Sequence, residues 1–118
     1  MIRSLKNLEF RRVYAKGKSR ANDCLVMYVL ENGTDVNRLG ITVSKKVGNS
    51  VIRSRVKRII KEAYRLQESN LKTGYDYVFI ARNSARDKKS TDMEISIRRL
   101  AERLRVYQNS ANQGQVKV

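Results

Sequence analysis

The segment from Ser50 to about Glu68 constrains the fold more than any other. Ile52, Val56, Ile59, Ile60, Ala63 and Leu66 recur at spacings typical of one side of an α-helix. On a helix turning about 100° per residue, Arg53, Lys57, Lys61 and Arg65 follow one another at four-residue steps on the other side, with Arg58 beside them. A rod that is apolar along one side must bury that side against another layer. Its cations are then left facing outward.

The remaining chain supplies that layer. Asn7 to Lys16 is predicted to be a short helix, with Leu8 and Val13, and also Phe10 and Tyr14, toward one side and Gly17 as its stop. Lys16 to Arg20 reads as a basic turn. Cys24 to Leu30 is rich in strand formers, and Asn32-Gly33 signals a turn before a second strand, Arg38 to Val43. These two strands are expected to pair as an antiparallel hairpin. Ser44 to Ser50 is a loop, Lys72-Thr73-Gly74 a break, and Tyr75 to Ala81 a third strand. Arg82 to Ser90 is a polar loop. Thr91 or Asp92 is expected to cap a last helix reaching about Tyr107, with Met93, Ile97, Leu100, Leu104 and Tyr107 at helical spacing. The order is α-β-β-α-β-α, an α+β chain (an α/β sandwich) with helices packed on a small central sheet. Residues 1–107 form one expected domain, and the polar tail 108–118 is expected to be disordered.

Charge and residue inventory narrow the function. There are 26 Lys and Arg against 11 Asp and Glu, a net +15. Such an imbalance adds self-repulsion to a folded chain, which a polyanion would offset. Nucleic acid leads, and an anionic membrane surface is second. Histidine is absent, which removes Ser-His and Cys-His nucleophile pairs, histidine metal cages and a histidine general base. The acids are scattered. Only Asp92 and Glu94 lie close, at a helix start where negative charge suits the helix dipole. The single cysteine, Cys24, has no disulfide partner in the chain and sits in an apolar run, so it reads as a buried small residue. Neither a signal-peptide core nor a run of ~20 apolar residues is present, and the chain is expected in the cytoplasm.

The stretch Ser44 to Arg65 holds eight basic residues and one acid, Glu62. Like charges four apart destabilise an isolated helix by roughly 0.2–0.5 kcal/mol per pair. A helix face selected for stability alone would interleave more Glu. Lys45 and Lys46 flank Gly48-Asn49-Ser50, which opens the helix where backbone N–H groups favour an anion. Lys45-Lys46-Val47-Gly48-Asn49, followed by Arg53-Ser54-Arg55-Val56-Lys57-Arg58, resembles the central motif of the bacterial ribonuclease P proteins, Arg-Asn-Arg then x-Lys-Arg. Ser54 stands where that family usually has Asn. Phe10-Arg11-Arg12-Val13-Tyr14 with Gly17, and the strands around Leu25–Tyr28, Leu39–Ser44 and Tyr77–Arg82, follow the family in order and spacing, so the resemblance spans about residues 5–107.

The resemblance implies a protein subunit of a tRNA-processing endoribonuclease, a ribonucleoprotein that removes 5′ leaders from precursor tRNA. It implies a catalytic RNA that carries the chemistry and positions most of the Mg²⁺, a protein that aids substrate and metal binding, and no catalytic side chain, metal or cofactor held by the protein alone. It also implies a left-handed β-α-β crossover. By resemblance, the RNA-subunit contacts fall on Lys45, Lys46, Asn49, Arg53, Ser54, Arg55, Lys57, Arg58, Lys61 and Arg65. The leader contacts fall on Phe10, Arg11, Tyr14, Lys18 and Tyr28. Read on their own, Phe10 and Tyr14 suit either base stacking beside cations or simple core packing. A ribosomal or other structured-RNA-binding protein without a role in cleavage is the alternative. A DNA-binding module would expose more base-reading Asn and Gln, a protein-only nuclease lacks its acid–base groups, and a membrane role conflicts with a helix whose aliphatic side faces a sheet.

Overall fold

The computed structural model describes residues 3–108; the expected disordered tail, beyond Gln108, lies outside the described residues. The strands are β1 (Arg3–Ser4), β2 (Lys18–Ala21), β3 (Leu25–Glu31), β4 (Arg38–Thr42) and β5 (Tyr75–Ala81), and the helices are α1 (Asn7–Lys16), α2 (Ser50–Gln67) and α3 (Ser90–Arg103). The chain is thus α+β, as its sequence predicts, with two strands more than expected.

The strands form one sheet in the order β1-β4-β5-β3-β2. This corrects the expected hairpin. Strand β3 pairs antiparallel with β5, and β4 pairs with the other side of β5 in parallel. The reason lies in β5 itself. Tyr77, Val78 and Phe79 are consecutive and all fully buried, so both faces of this strand must be covered, and the centre of the sheet is where that happens. The real hairpin joins β2 to β3. The expected basic turn is therefore partly a strand, an edge whose Lys18 and Arg20 are exposed, a common protection against edge pairing.

Alternation along the strands builds two apolar clusters. Leu25, Met27, Val29, Leu39, Tyr77 and Phe79 face α2 and α3, packing on Val56, Ile60, Ala63, Met93, Ile97 and Leu100. On the reverse face, Val78 meets Leu5 and Val13, with Phe10, Tyr28, Leu30 and Ile80 at its margin. Two predicted core residues turn outward: Leu8 and Leu66 are exposed. In α2 the buried side includes Tyr64 and Gln67 instead. Cys24 is fully buried against Ser96 Oγ at 3.4 Å, and burial pushes its thiol pKa up.

Helix ends follow the expected chemistry with shifts of position. Asn49 caps α2, its Oδ1 accepting the Ile52 N–H at 3.0 Å. The cap of α3 is Lys89, whose N–H donates to Asp92 at 2.8 Å. That helix stops at Arg103. Arg105 then takes φ of 62° and the Val106 N–H returns to the Ala101 carbonyl at 3.0 Å, the geometry of a Schellman stop. Tyr107 consequently leaves the helix and bridges to Leu71. Gly17 ends α1 for a reason other than left-handed backbone. Its φ is −76°, but a Cβ there would come within 2.6 Å of the Val13 carbonyl oxygen and 2.9 Å of that of Val29.

Candidate RNA interface

Helix α2 presents Ser54, Lys57, Arg58, Lys61 and Arg65 to solvent, while Val56, Ile59, Ile60 and Ala63 are buried beneath. The charge on this face is not cancelled internally. The four ion pairs among the described residues are Arg38–Glu9, Arg38–Asp76, Lys88–Asp23 and Arg98–Glu102, and none involves α2. Lys45 and Lys46 are exposed in the preceding loop, above the fully buried Val47.

Two motif arginines behave differently from that face. Arg53 is half-buried and donates from Nη1 to the Gly48 carbonyl at 3.0 Å, closing the loop onto the helix. Arg55, half-buried as well, donates to the carbonyls of Arg86 at 3.2 Å and Lys88 at 2.6 Å. It lies about 200° around the helix from Arg53, so the two-residue spacing already placed it off the stripe. Arg55 ties α2 to the basic segment before α3. Arg55→Lys removes one of two charged hydrogen bonds and Arg55→Ala both, at about 1.5–3 kcal/mol per charged bond before solvent screening. We expect faster amide exchange in residues 82–90 for both variants, greater for Ala; unchanged exchange would mean the tie is dispensable.

On the other face of the sheet, α1 carries a short aromatic row. The Phe10 and Tyr14 rings are 6.1 Å apart, and Tyr14 meets Tyr28 edge-on at 5.2 Å. The Tyr14 hydroxyl lies 3.4 Å from Thr42 Oγ1. Phe10 is partly buried against Gly40, where a Cβ would come within 2.5 Å of the ring, so only glycine admits it. Tyr14 remains 40% exposed, which leaves its ring available for stacking. Phe10 thus packs partly into the core and keeps an accessible edge, while Tyr14 is the more open of the two. Arg11 is exposed on α1. Lys18 is not gathered with these aromatics: it pairs with Val29, whose side chain enters the α2–α3 core, so Lys18 stands on the opposite face.

A network that the sequence reading missed ties α1 to β4 and β5. Asp76, fully buried in β5, accepts from Arg38 Nε at 2.7 Å and Nη2 at 2.8 Å, and from Asn32 Nδ2 at 3.0 Å. Arg38 Nη1 also donates to Glu9 on α1, and Glu9 accepts the Lys6 N–H at 2.7 Å. Asp76 raises the pKa of the Arg38 guanidinium further. The sequence signal was an aspartate inside an apolar strand, which needs a buried partner.

A cationic helix face on one side of a sheet and an aromatic row on the other define a class: a small basic α+β protein built to hold polyanionic chains. Comparison with known proteins gives the family. The family model described as Ribonuclease P matches residues 3–105. The ribonuclease P protein component of Clostridium novyi is 56% identical over 104 residues, covering 86% of this chain and 92% of that one. That of Clostridium acetobutylicum is 60% identical over 97 residues, covering 80% and 82%. Among solved structures, the Staphylococcus aureus RNase P protein superposes with a TM-score of 0.80 at 36% identity, over 89% of this chain and 97% of that one. The Thermotoga maritima protein superposes with 0.74 at 28% identity, over 80% and 90%. The chain belongs to the ribonuclease P family as its protein component, and its place is in tRNA processing within that ribonucleoprotein.

Proposed function

We propose that the exposed side of α2, with Lys45 and Lys46 of the preceding loop, grips a ribonuclease P RNA. The 5′ leader of precursor tRNA crosses the aromatic row of Phe10, Tyr14 and Tyr28 beside Arg11, and the RNA performs the hydrolysis. The observation that carries this reading is the uncompensated α2 face. The ion-paired carboxylates are engaged elsewhere, so phosphates are the natural counter-charge. Lysines supply point charges there and Arg58 and Arg65 planar, bidentate donors. Arg53 and Arg55 shape the surface through their backbone contacts.

The aromatic row suits single-stranded RNA, whose bases stack on exposed rings near cations at roughly 1–3 kcal/mol each. In this reading Mg²⁺ belongs to the holoenzyme and is placed mainly by RNA, with the protein aiding its binding. Asp76 is committed to Arg38, and among the described residues no group of three or more Cys, Asp or Glu side chains converges on a common point. No helix among the described residues is long and apolar enough to cross a membrane.

The test is a reconstituted complex with ribonuclease P RNA, comparing affinity for precursor and mature tRNA. Tyr14→Ala is expected to weaken precursor binding about tenfold, one stacked base, and to leave mature tRNA binding unchanged. Phe10→Ala adds a loss of stability from its packing on Gly40. Equal losses for both tRNAs with Tyr14→Ala would remove the leader from this cleft. High-affinity binding to ribosomal RNA, with no effect on precursor cleavage, would instead favour a structured-RNA-binding role.

A further inference from the structure

Phe10 borders a second concave surface, apart from the aromatic row. It is an open groove of about 520 Å³ where α2 meets the edge of the sheet. Leu5, Phe10, Leu39 and Ile41 make it apolar on one side, and Ser54, Lys57, Arg58 and Lys61 line the other. No carboxylate lines it.

The sheet edge at this point is open. Strand β1 covers β4 only at Arg38 and Leu39, and the Leu5 N–H donates to the Leu39 carbonyl at 3.0 Å. Along a strand, residues two apart direct their N–H and C=O groups to the same side. Ile41 therefore turns its peptide donor and acceptor toward this edge, past the end of β1. The groove brings together an apolar surface for a flat ring, a donor–acceptor pair for a base edge, and cations for a phosphate. Its volume lies within the roughly 300–1,000 Å³ of small-ligand sites. A peptide strand would match the open edge, but a wall with three cations and no acid favours an anionic occupant.

We infer that this groove binds one unpaired nucleotide of the partner RNA, its base against Phe10, Leu5 and Ile41 and its phosphate on Lys57 and Lys61. The inference rests on the RNA-binding reading above and deepens it: α2 then holds a particular extruded base as well as a length of backbone. Such a contact adds register, which phosphate contacts alone do not specify.

The first test titrates the isotope-labelled full chain with adenosine 5′-monophosphate and, separately, with inorganic phosphate, followed by NMR. The nucleotide is expected to shift the Ile41 amide and the Leu5 and Phe10 side-chain signals, whereas phosphate leaves those signals in place. Identical patterns for both probes, or an unmoved Ile41, would overturn the assignment. So would an uncharged extended peptide that shifts Ile41 where the nucleotide does not. The second test is Ser54→Trp, which fills the groove from an exposed helix position. Its affinity for ribonuclease P RNA is expected to fall about tenfold, the loss of one stacked base, and the nucleotide-specific shifts to vanish, with the Tm little changed. Steeply salt-dependent RNA binding that is indifferent to Ser54→Trp would discard the groove and leave the proposed function standing. An absence of salt-dependent RNA binding in the wild-type protein would discard both.

Discussion

Asp76→Ala is expected to cost about 3 kcal/mol of stability, at the low end for breaking a buried ion pair because Arg38 keeps some solvent contact. Asp76 is fully buried, and three side-chain donors converge on it from Arg38 and Asn32. Removing it leaves the Arg38 charge against an apolar strand with Glu9 as its remaining carboxylate partner. In a domain of this size each kcal/mol moves Tm by roughly 4–8 °C, so the expected drop is about 12–24 °C. Urea unfolding checks it through a lowered midpoint at unchanged slope. The paired variant Arg38→Met with Asp76→Leu is expected to recover much of the loss, since apolar replacements of whole buried pairs are often tolerated. A single variant losing under about 1 kcal/mol would show that this network does not anchor α1.

The second large effect falls on RNA affinity. Reversing Lys57, Lys61 and Arg65 together to Glu is expected to weaken binding to ribonuclease P RNA about a hundredfold or more at physiological salt, and to lower the slope of log affinity against log salt by about 2–3. These side chains are exposed and outside the protein's own ion pairs, so the fold is expected to survive. Arg53→Ala and Arg55→Ala are expected to change the slope much less, because their guanidinium groups already donate to backbone carbonyls. A filter-binding salt titration separates the two groups. Equal slope changes would mean that the motif arginines release their internal bonds to meet phosphate.

Much of this architecture was readable because local signals agreed. The spacing of Val56, Ile59, Ile60 and Ala63 fixed α2 and the direction of its cations, and Asn49 marked its start. The motif at Arg53–Arg58 pointed to the family. Pairing was harder to read. Asn32-Gly33 signals a chain reversal, but it carries no information on whether a later strand inserts between the two arms, and β5 does so because it is apolar on both faces. Tertiary context also decided Leu8 and Leu66, which fit an apolar period yet face water. The site was legible where charge lay on a regular helix and obscure where it depended on contacts distant in sequence. Arg38 meets Asp76 across 38 positions, and the groove beside Ile41 exists because β1 ends early. Lys18 is assigned to the leader only by resemblance, and it sits in an edge strand whose alternation sends it to the other face.

Division of labour between protein and RNA is tested most directly by a three-way cleavage assay on a precursor tRNA at low magnesium and physiological salt, with the protein alone, a ribonuclease P RNA alone, and the two together. No turnover is expected from the protein, little from the RNA, and efficient release of the leader from the pair. Turnover by the protein freed of RNA, or a rate for the pair no greater than for the RNA alone, would contradict that division.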